Sequence, residues 1–233
     1  MKKVEITFLP STKNKYFEDQ LIINWVEKLN DALDFINIFV PKNKEEAKIF
    51  LKKSNAAYGV LTEDLIKYCE NIEWLQAPQA APPPDFYYNK LIEHPMIVTN
   101  FRGIYNDHIS HHILAMVLSF SKSLNIYIHQ QSKKLWNPIK SENGSTRYLP
   151  EMKIIVIGLG GIGDETARLC NLFGSEIIAI DERRTDKPEY VSKLVKPENL
   201  EEFINEADFV ISTIPHTPNT EKIFNYNFFK KMK

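Results

Sequence analysis

Short apolar runs alternate with amphipathic stretches along the whole chain. Residues 4–9 alternate apolar and polar positions, the period of a strand. Phe17, Leu21, Trp25 and Leu29 recur at every fourth position and predict a helix with one apolar stripe. Residues 35–40 read as a second strand, stopped by Pro41, residues 44–53 as a short charged helix and residues 56–60 as a third strand. Thr62 has the character of a helix N-cap, with Glu63 and Asp64 in the turn where the helix dipole favours acids. Residues 74–77 and 97–100 are expected to be a fourth and a fifth strand. Residues 107–134 then form one long helical pattern, with Ile109, Ile113, Met116 or Val117, Phe120 and Leu124 on its apolar face. Its length suits a helix bridging two domains. Residues 135–150 are polar and turn-rich (Asn137-Pro138, Asn143-Gly144) and predict a surface loop.

The second part repeats the alternation. Ile154, Ile155, Val156 and Ile157 are an apolar run suited to a strand buried on both faces. A helical pattern follows through Ala167, Leu169, Cys170 and Phe173, and Gly174 stops it. Residues 177–180 read as a second strand ending at Asp181, and residues 190–194 as a third. Pro197 opens a helix that would bury Leu200, Phe203 and Ile204. Residues 209–212 are a fourth strand, 213–220 its loop, and another element begins at Phe224. Strands alternating with helices imply parallel sheets covered on both faces. The expected fold class is α/β: a flavodoxin-like domain over residues 1–100, an interdomain helix and loop over 101–150, and over 151–233 the first half of a doubly wound Rossmann domain.

The chemistry concentrates where strand meets helix. Gly158, Gly160 and Gly163 follow the apolar run in G-x-G-x-x-G spacing. The first glycine permits a tight turn, the second lets backbone approach a pyrophosphate, and the third lets the helix lie close to the strand. The helix N-terminus offers free N–H groups and a positive dipole end to phosphates. Asp181 stands about 20 positions past the glycines, where an acid would hold a ribose 2′-OH. An acid there repels a 2′-phosphate and favours NAD; Arg183 and Arg184 would accommodate one and favour NADP. The balance favours NAD, because the acid sits directly at the strand end.

Composition narrows the alternatives. The 233 residues are 43% hydrophobic, enough for two small cores, and 29 basic against 30 acidic side chains leave a net charge of −1. That balance gives no reason to expect nucleic acid or an anionic membrane as partner. No apolar run reaches membrane-spanning length, and Met1-Lys2-Lys3 leads straight into a strand with no signal-peptide core. Cys69 and Cys170 show no metal spacing, so a reduced, cytoplasmic setting is expected. His108 and His112 share a helix face, but the Glu of an H-E-x-x-H site is absent and no third ligand is evident. These histidines, with His111, are expected to be capping or interfacial, and no metal is expected. The proline-rich stretch at 77–85 is a stiff loop at a strand's carboxyl end: a ligand-binding loop or a rigid connector.

Thr99-Asn100-x-x-Gly103, the segment Asp107-His-Ile-Ser-His-His-Ile-Leu-Ala-Met116, the glycine fingerprint, and Ala207-Asp-Phe-Val-Ile211 running into Pro215-x-Thr217-Pro218-x-Thr220 together resemble the D-isomer-specific 2-hydroxyacid dehydrogenases. The resemblance covers essentially the whole chain. It implies hydride transfer between NADH or NADPH and a small 2-oxo or 2-hydroxy acid, with substrate held between two doubly wound domains, and commonly a homodimer. By position it places Gly160, Gly161 and Ile162 on the pyrophosphate, Asp181 on the adenine ribose, and Ile214, Pro215 and Thr220 beside the nicotinamide half. Gln79, Ala80 and Ala81 fall in the loop that would bind the substrate carboxylate through backbone N–H groups, and Arg102 lies at a strand end near the expected cleft. Two departures bear on substrate choice: three prolines and no glycine in that loop, and His111 where the family usually has Glu.

The family's catalytic Arg, Glu and His come from segments after Met232. No catalytic residue is therefore expected within this chain, which reads as truncated or interrupted. Two functions remain: a dehydrogenase with an incomplete active site in this chain, or a non-catalytic remnant that binds NAD(H) or docks to a protein.

Overall fold

A computed structural model describes residues 3–12, 20–139 and 146–233. Phe17 of the expected first-helix stripe and the Asn143-Gly144 pair lie outside them. The chain divides into two compact units, Met1–Ile104 and Tyr105–Lys233.

The first unit contains β1 (Val4–Phe8), α1 (Gln20–Ala32), β2 (Ile36–Phe39), α2 (Lys44–Leu51), β3 (Ala56–Tyr58), β4 (Trp74–Gln76), α3 (Asn89–Ile92) and β5 (Ile97–Thr99). Its five strands pair in the order β2-β1-β3-β4-β5, and every pairing is parallel. That is the flavodoxin-like order, whose direction reverses between β1 and β3. The two faces carry separate cores. Leu9, Ala57, Leu61, Leu65 and Leu75 pack with α2 residues Ala47 and Leu51 on one side. Phe8, Ile22 and Tyr58 pack beneath α1 on the other. Burying each large aliphatic side chain in such a layer contributes about 1.5–3 kcal/mol.

The second unit contains α4 (Asn106–Ser121), α5 (Leu124–Ser132), β6 (Lys153–Ile157), α6 (Gly161–Leu172), β7 (Glu176–Ile180), β8 (Lys193–Val195), β9 (Phe209–Ser212) and α7 (Tyr226–Lys230). Its sheet runs β8-β7-β6-β9, again wholly parallel. This is the 3-2-1-4 order of a Rossmann-type sheet, with its reversal between β6 and β9. Ile154 to Ile157 of β6 and Ile177 to Ile180 of β7 are all buried, as central strands covered on both faces must be.

Three sequence expectations are corrected. The single helix over 107–134 is two helices, because Ser123 adopts a left-handed conformation (φ 55°) between α4 and α5. No glycine or proline marks the break. Thr62 caps no α-helix; its hydroxyl donates to Asp64 at 2.9 Å, and the chain continues into a 3-10 turn at Ile66–Tyr68. The helix expected at Pro197 is a pair of 3-10 segments, Pro197–Glu202 and Ile204–Glu206, although Ile204 is buried as its spacing predicts.

One side chain ties the second unit's polar edge together. The Asp208 carboxylate, 5% exposed, accepts from Arg147 at 2.6 Å, from Lys233 at 2.8 Å and from the Lys153 backbone N–H at 3.0 Å. Burial works against its charge, but the Lys233 and Lys153 bonds outweigh that and hold its pKa below the ordinary carboxylate value. Its stabilisation is therefore complete above the usual carboxylate range and lost as pH falls through the lowered native value. Asp208→Asn is expected to lower stability by about 1–3 kcal/mol at neutral pH. It should also flatten the acid limb of a melting-temperature profile between pH 7 and pH 3. An unchanged acid limb would contradict this role.

Candidate nucleotide-binding site

The site of the second unit begins where β6 ends. Gly158 sits at φ +90°, a conformation that side-chain-bearing residues rarely adopt, and it turns the chain towards α6. A Cβ at Gly158 would lie 2.9 Å from Ile214 Cγ2, in the loop after β9. The glycine turn and the loop after β9 therefore meet at the sheet's reversal point, where open α/β sheets bind ligands. Gly163 lies one turn into α6, and a Cβ there would overlap the Gly158 carbonyl oxygen and stand 2.6 Å from Thr213 Oγ1. Thr213 locks the same junction by donating to Gly158 O at 2.7 Å. Gly161 faces the Asn106 side chain at the start of α4, again too closely for a Cβ.

Gly160 differs from these. It is the N-cap of α6, and a Cβ built on it would meet nothing within 4 Å. Gly158 and Gly163 are demanded by backbone packing, and Gly161 meets only the movable tip of Asn106; the space before Gly160 is open. The first N–H groups of α6, on Gly161, Ile162 and Gly163, have no carbonyl within the helix to bond. An open cradle at a helix N-terminus fits a pyrophosphate.

Acidic residues in this turn would repel such a group unless neutralised. Glu165 is paired with Arg168 through two bonds at 2.6 and 2.8 Å, which hold its pKa below the usual value. Asp164 Oδ1 accepts from Arg184 Nη1 at 2.5 Å and from the Tyr190 hydroxyl at 2.8 Å. Burial first, and the Asp164 bond second, push the Tyr190 hydroxyl up to about 12, so it stays a donor at neutral pH.

Asp181 ends β7 beside the turn. Its Oδ2 accepts from the Leu159 N–H at 2.7 Å, and its Oδ1 from the Arg183 and Arg184 N–H groups at 2.8 Å each. Partial burial opposes the charge, but these three backbone donors prevail and lower its pKa. A fixed carboxylate thus stands at the rim of the glycine turn. Arg183 is exposed. In the loop after β9, Thr220 Oγ1 donates to Pro215 O at 2.7 Å and accepts from the Thr217 N–H at 2.8 Å, closing a compact turn.

The structure thus sets the glycine turn and the first residues of α6 (Gly158, Gly160, Gly161, Ile162 and Gly163) beside Ile214 and Asp181, with Pro215 and Thr220 in the adjoining loop. Asp164, Arg184 and Tyr190 belong to the same rim, and sequence spacing gave no reason to join them. Asp164 directly follows the glycine fingerprint, but its partners come from across the β7–β8 connection. Among the described residues, no group of three His, Cys, Asp or Glu side chains is placed to hold a metal ion.

The first unit has its own cluster at the carboxyl ends of its strands. Gly59 follows β3 at φ +111°, pressed against the Leu9 carbonyl. The Val60 N–H donates to Pro10 O at 2.9 Å, and Gln79 Nε2 reaches Ser11 O at 3.5 Å. Gln79 Oε1 is buried and has no hydrogen-bond partner among the described residues. Ala80 and Ala81 continue this loop, and Pro84–Phe86 closes it with a 3-10 turn. Arg102 is exposed after the neighbouring strand β5.

With this geometry established, comparison with known proteins places the chain. Residues 114–233 match the family described as D-isomer specific 2-hydroxyacid dehydrogenase, NAD binding domain. The chain belongs to that family, and its second unit carries the family's NAD-binding domain. It is 28% identical over 198 residues to D-lactate dehydrogenase of Streptococcus pyogenes serotype M1, an alignment covering 83% of this chain and 58% of that protein. The chain thus spans little more than half the length of that relative. A D-isomer specific 2-hydroxyacid dehydrogenase family protein from Aeromonas salmonicida superimposes with a TM-score of 0.80 at 19% identity, covering 100% of this chain and 70% of that one. D-lactate dehydrogenase from Aquifex aeolicus, complexed with NAD and lactic acid, gives a TM-score of 0.70 at 20% identity, covering 98% and 66%. Among the described residues no helix is long and apolar enough to cross a membrane.

Proposed function

We propose that this chain binds NAD(H) through its second unit and serves hydride transfer between the nicotinamide and a small 2-oxo or 2-hydroxy acid. The observation that carries this reading is the open cradle before Gly160, with a fixed carboxylate at its rim and compensated acids in its helix. Gly160, Gly161 and Ile162 would hold the pyrophosphate, Asp181 the adenine ribose, and Ile214, Pro215 and Thr220 the nicotinamide half, with Gly158 and Gly163 shaping the turn. The bound nicotinamide supplies the hydride acceptor or donor. Gln79, Ala80, Ala81 and Arg102 of the first unit would contact the substrate acid, the loop through its backbone N–H groups and Arg102 through its positive charge. In this reading residues 1–100 serve substrate, 101–150 connect, and 151–233 bind nucleotide. The protein works in the cytoplasm as a homodimer.

Titration of the purified chain with NADH, followed by nucleotide fluorescence, tests the binding step, with glyoxylate and pyruvate turnover assayed in parallel. Saturable binding is expected. Binding with turnover establishes the enzyme; binding without turnover favours a nucleotide-binding module; absence of binding overturns the proposal.

A further inference from the structure

Arg184 is the residue at which cofactor choice is open. Its backbone N–H donates to Asp181 Oδ1, and its Nη1 reaches the Leu159 carbonyl in the glycine turn at 3.2 Å. Arg184 therefore touches both the strand-end carboxylate and the turn between which an adenosine ribose would lie. An arginine so placed is the natural receptor for a 2′-phosphate. Here its guanidinium is already engaged: Nη1 with Asp164 at 2.5 Å, and Nε and Nη2 with Asp186 at 3.2 and 3.1 Å. The Asp164 side chain is only 33% exposed and the Arg184 side chain 23%, whereas Asp186 is 77% exposed. The sheltered Asp164 pair is the stronger of the two, since an exposed pair is screened by solvent. Tyr190 fixes the Asp164 carboxylate in place.

We infer that Asp164 is a specificity-determining residue of the nucleotide site: by holding the Arg184 guanidinium against the glycine turn, it withholds that cation from a 2′-phosphate and selects the unphosphorylated ribose. The inference rests on the proposed nucleotide reading and adds to it a second device beside the Asp181 charge.

The test compares dissociation constants for NADH and NADPH, by fluorescence titration of the full chain, in the parent, Asp164→Asn, Arg184→Met and the double variant. Asn keeps the size of the side chain and an acceptor for Tyr190 but loses the charge. The parent is expected to prefer NADH. Asp164→Asn should narrow that preference about tenfold, equivalent to about 1.4 kcal/mol, through tighter NADPH binding. The double variant should restore the parental preference, because the released arginine is then gone. An unchanged preference in Asp164→Asn, or a gain that persists without Arg184, overturns the inference while leaving NADH binding intact. Arg184→Met alone reads the same point should Asp164→Asn fail to fold. It is expected to keep the parental preference, and a selective loss of NADPH affinity would show that Arg184 already reaches the phosphate. A parent that binds neither nucleotide removes the proposed function itself, and this inference with it.

Discussion

Gly163→Ala is expected to lower the stability of the chain by about 3 kcal/mol and its melting temperature by about 10 °C. In a helix interior this exchange ordinarily gains up to about 1 kcal/mol of propensity. The clash decides the sign. The added Cβ overlaps a backbone carbonyl at Gly158 and presses on Thr213 Oγ1, whose own bond to Gly158 O fixes it there. Neither can swing aside as a flexible side-chain tip would, so α6 must move away from β6. Gly160→Ala is the matched control. Its Cβ meets nothing within 4 Å, and φ −76° with ψ −172° suits alanine, so stability should change by no more than about 0.5 kcal/mol. Its effect should fall on NADH affinity, by about tenfold or more, because the methyl would enter the open space in which the pyrophosphate is proposed to lie. Calorimetry and NADH titration on both variants separate the roles. Equal melting losses would show that Gly160 is also a packing glycine.

Asp181→Ala is expected to raise the NADH dissociation constant about 10- to 100-fold, the range for removing a hydrogen bond to a charged group. The NADPH constant should rise less, because the lost charge also repelled the 2′-phosphate. Equal losses for the two nucleotides would remove Asp181 from the ribose. Asp181→Asn is not a mild alternative. Leu159 on one side and Arg183 with Arg184 on the other all present N–H donors to the carboxylate. An amide has an oxygen for only one side and turns its NH2 towards donors on the other. The lowered pKa carries a further expectation: the carboxylate stays charged throughout the neutral range. NADH affinity should therefore be level above the usual carboxylate range and decline only as pH falls below it.

Among the described residues the short apolar runs marked every strand of the two sheets, because buried parallel strands leave β-branched or small runs such as Ile154–Ile157 and Ala56–Tyr58; the strand expected at 190–194 lies instead at Lys193–Val195. The break at Ser123 was not legible, since serine at φ 55° is sustained by the surrounding fold and by no local signal. Thr62 misled for a related reason. Its spacing to Glu63 and Asp64 matches a helix start, but Leu65, Ile66 and Cys69 are drawn into the core and hold the segment as a tight turn. At the site, Asp181 was visible because its distance from the glycines is set by one βαβ unit. Arg184 was visible as a cation near the ribose, but its meeting with Asp164 and Tyr190 was not, because that depends on the path of the chain between β7 and β8, which spacing does not determine.

Parallel pairing throughout also constrains how the chain can fold. Neither sheet contains a hairpin, so no pair of strands can zip from a local turn. Ile154 must find Phe209, and Ile6 must find Ala56, across long intervening segments. Such distant encounters slow folding, because loop-closure entropy is lost before any contact compensates it. Until β9 docks, one whole flank of β6 lies open, with the isoleucines of the nucleotide sheet on view to other chains. The step that builds the rim of the cofactor cradle is thus also the step that hides this unit's most adhesive surface. High protein concentration leaves the rate of this intramolecular step unchanged but speeds association between chains, so it should divert chains into aggregates before any nucleotide can be bound.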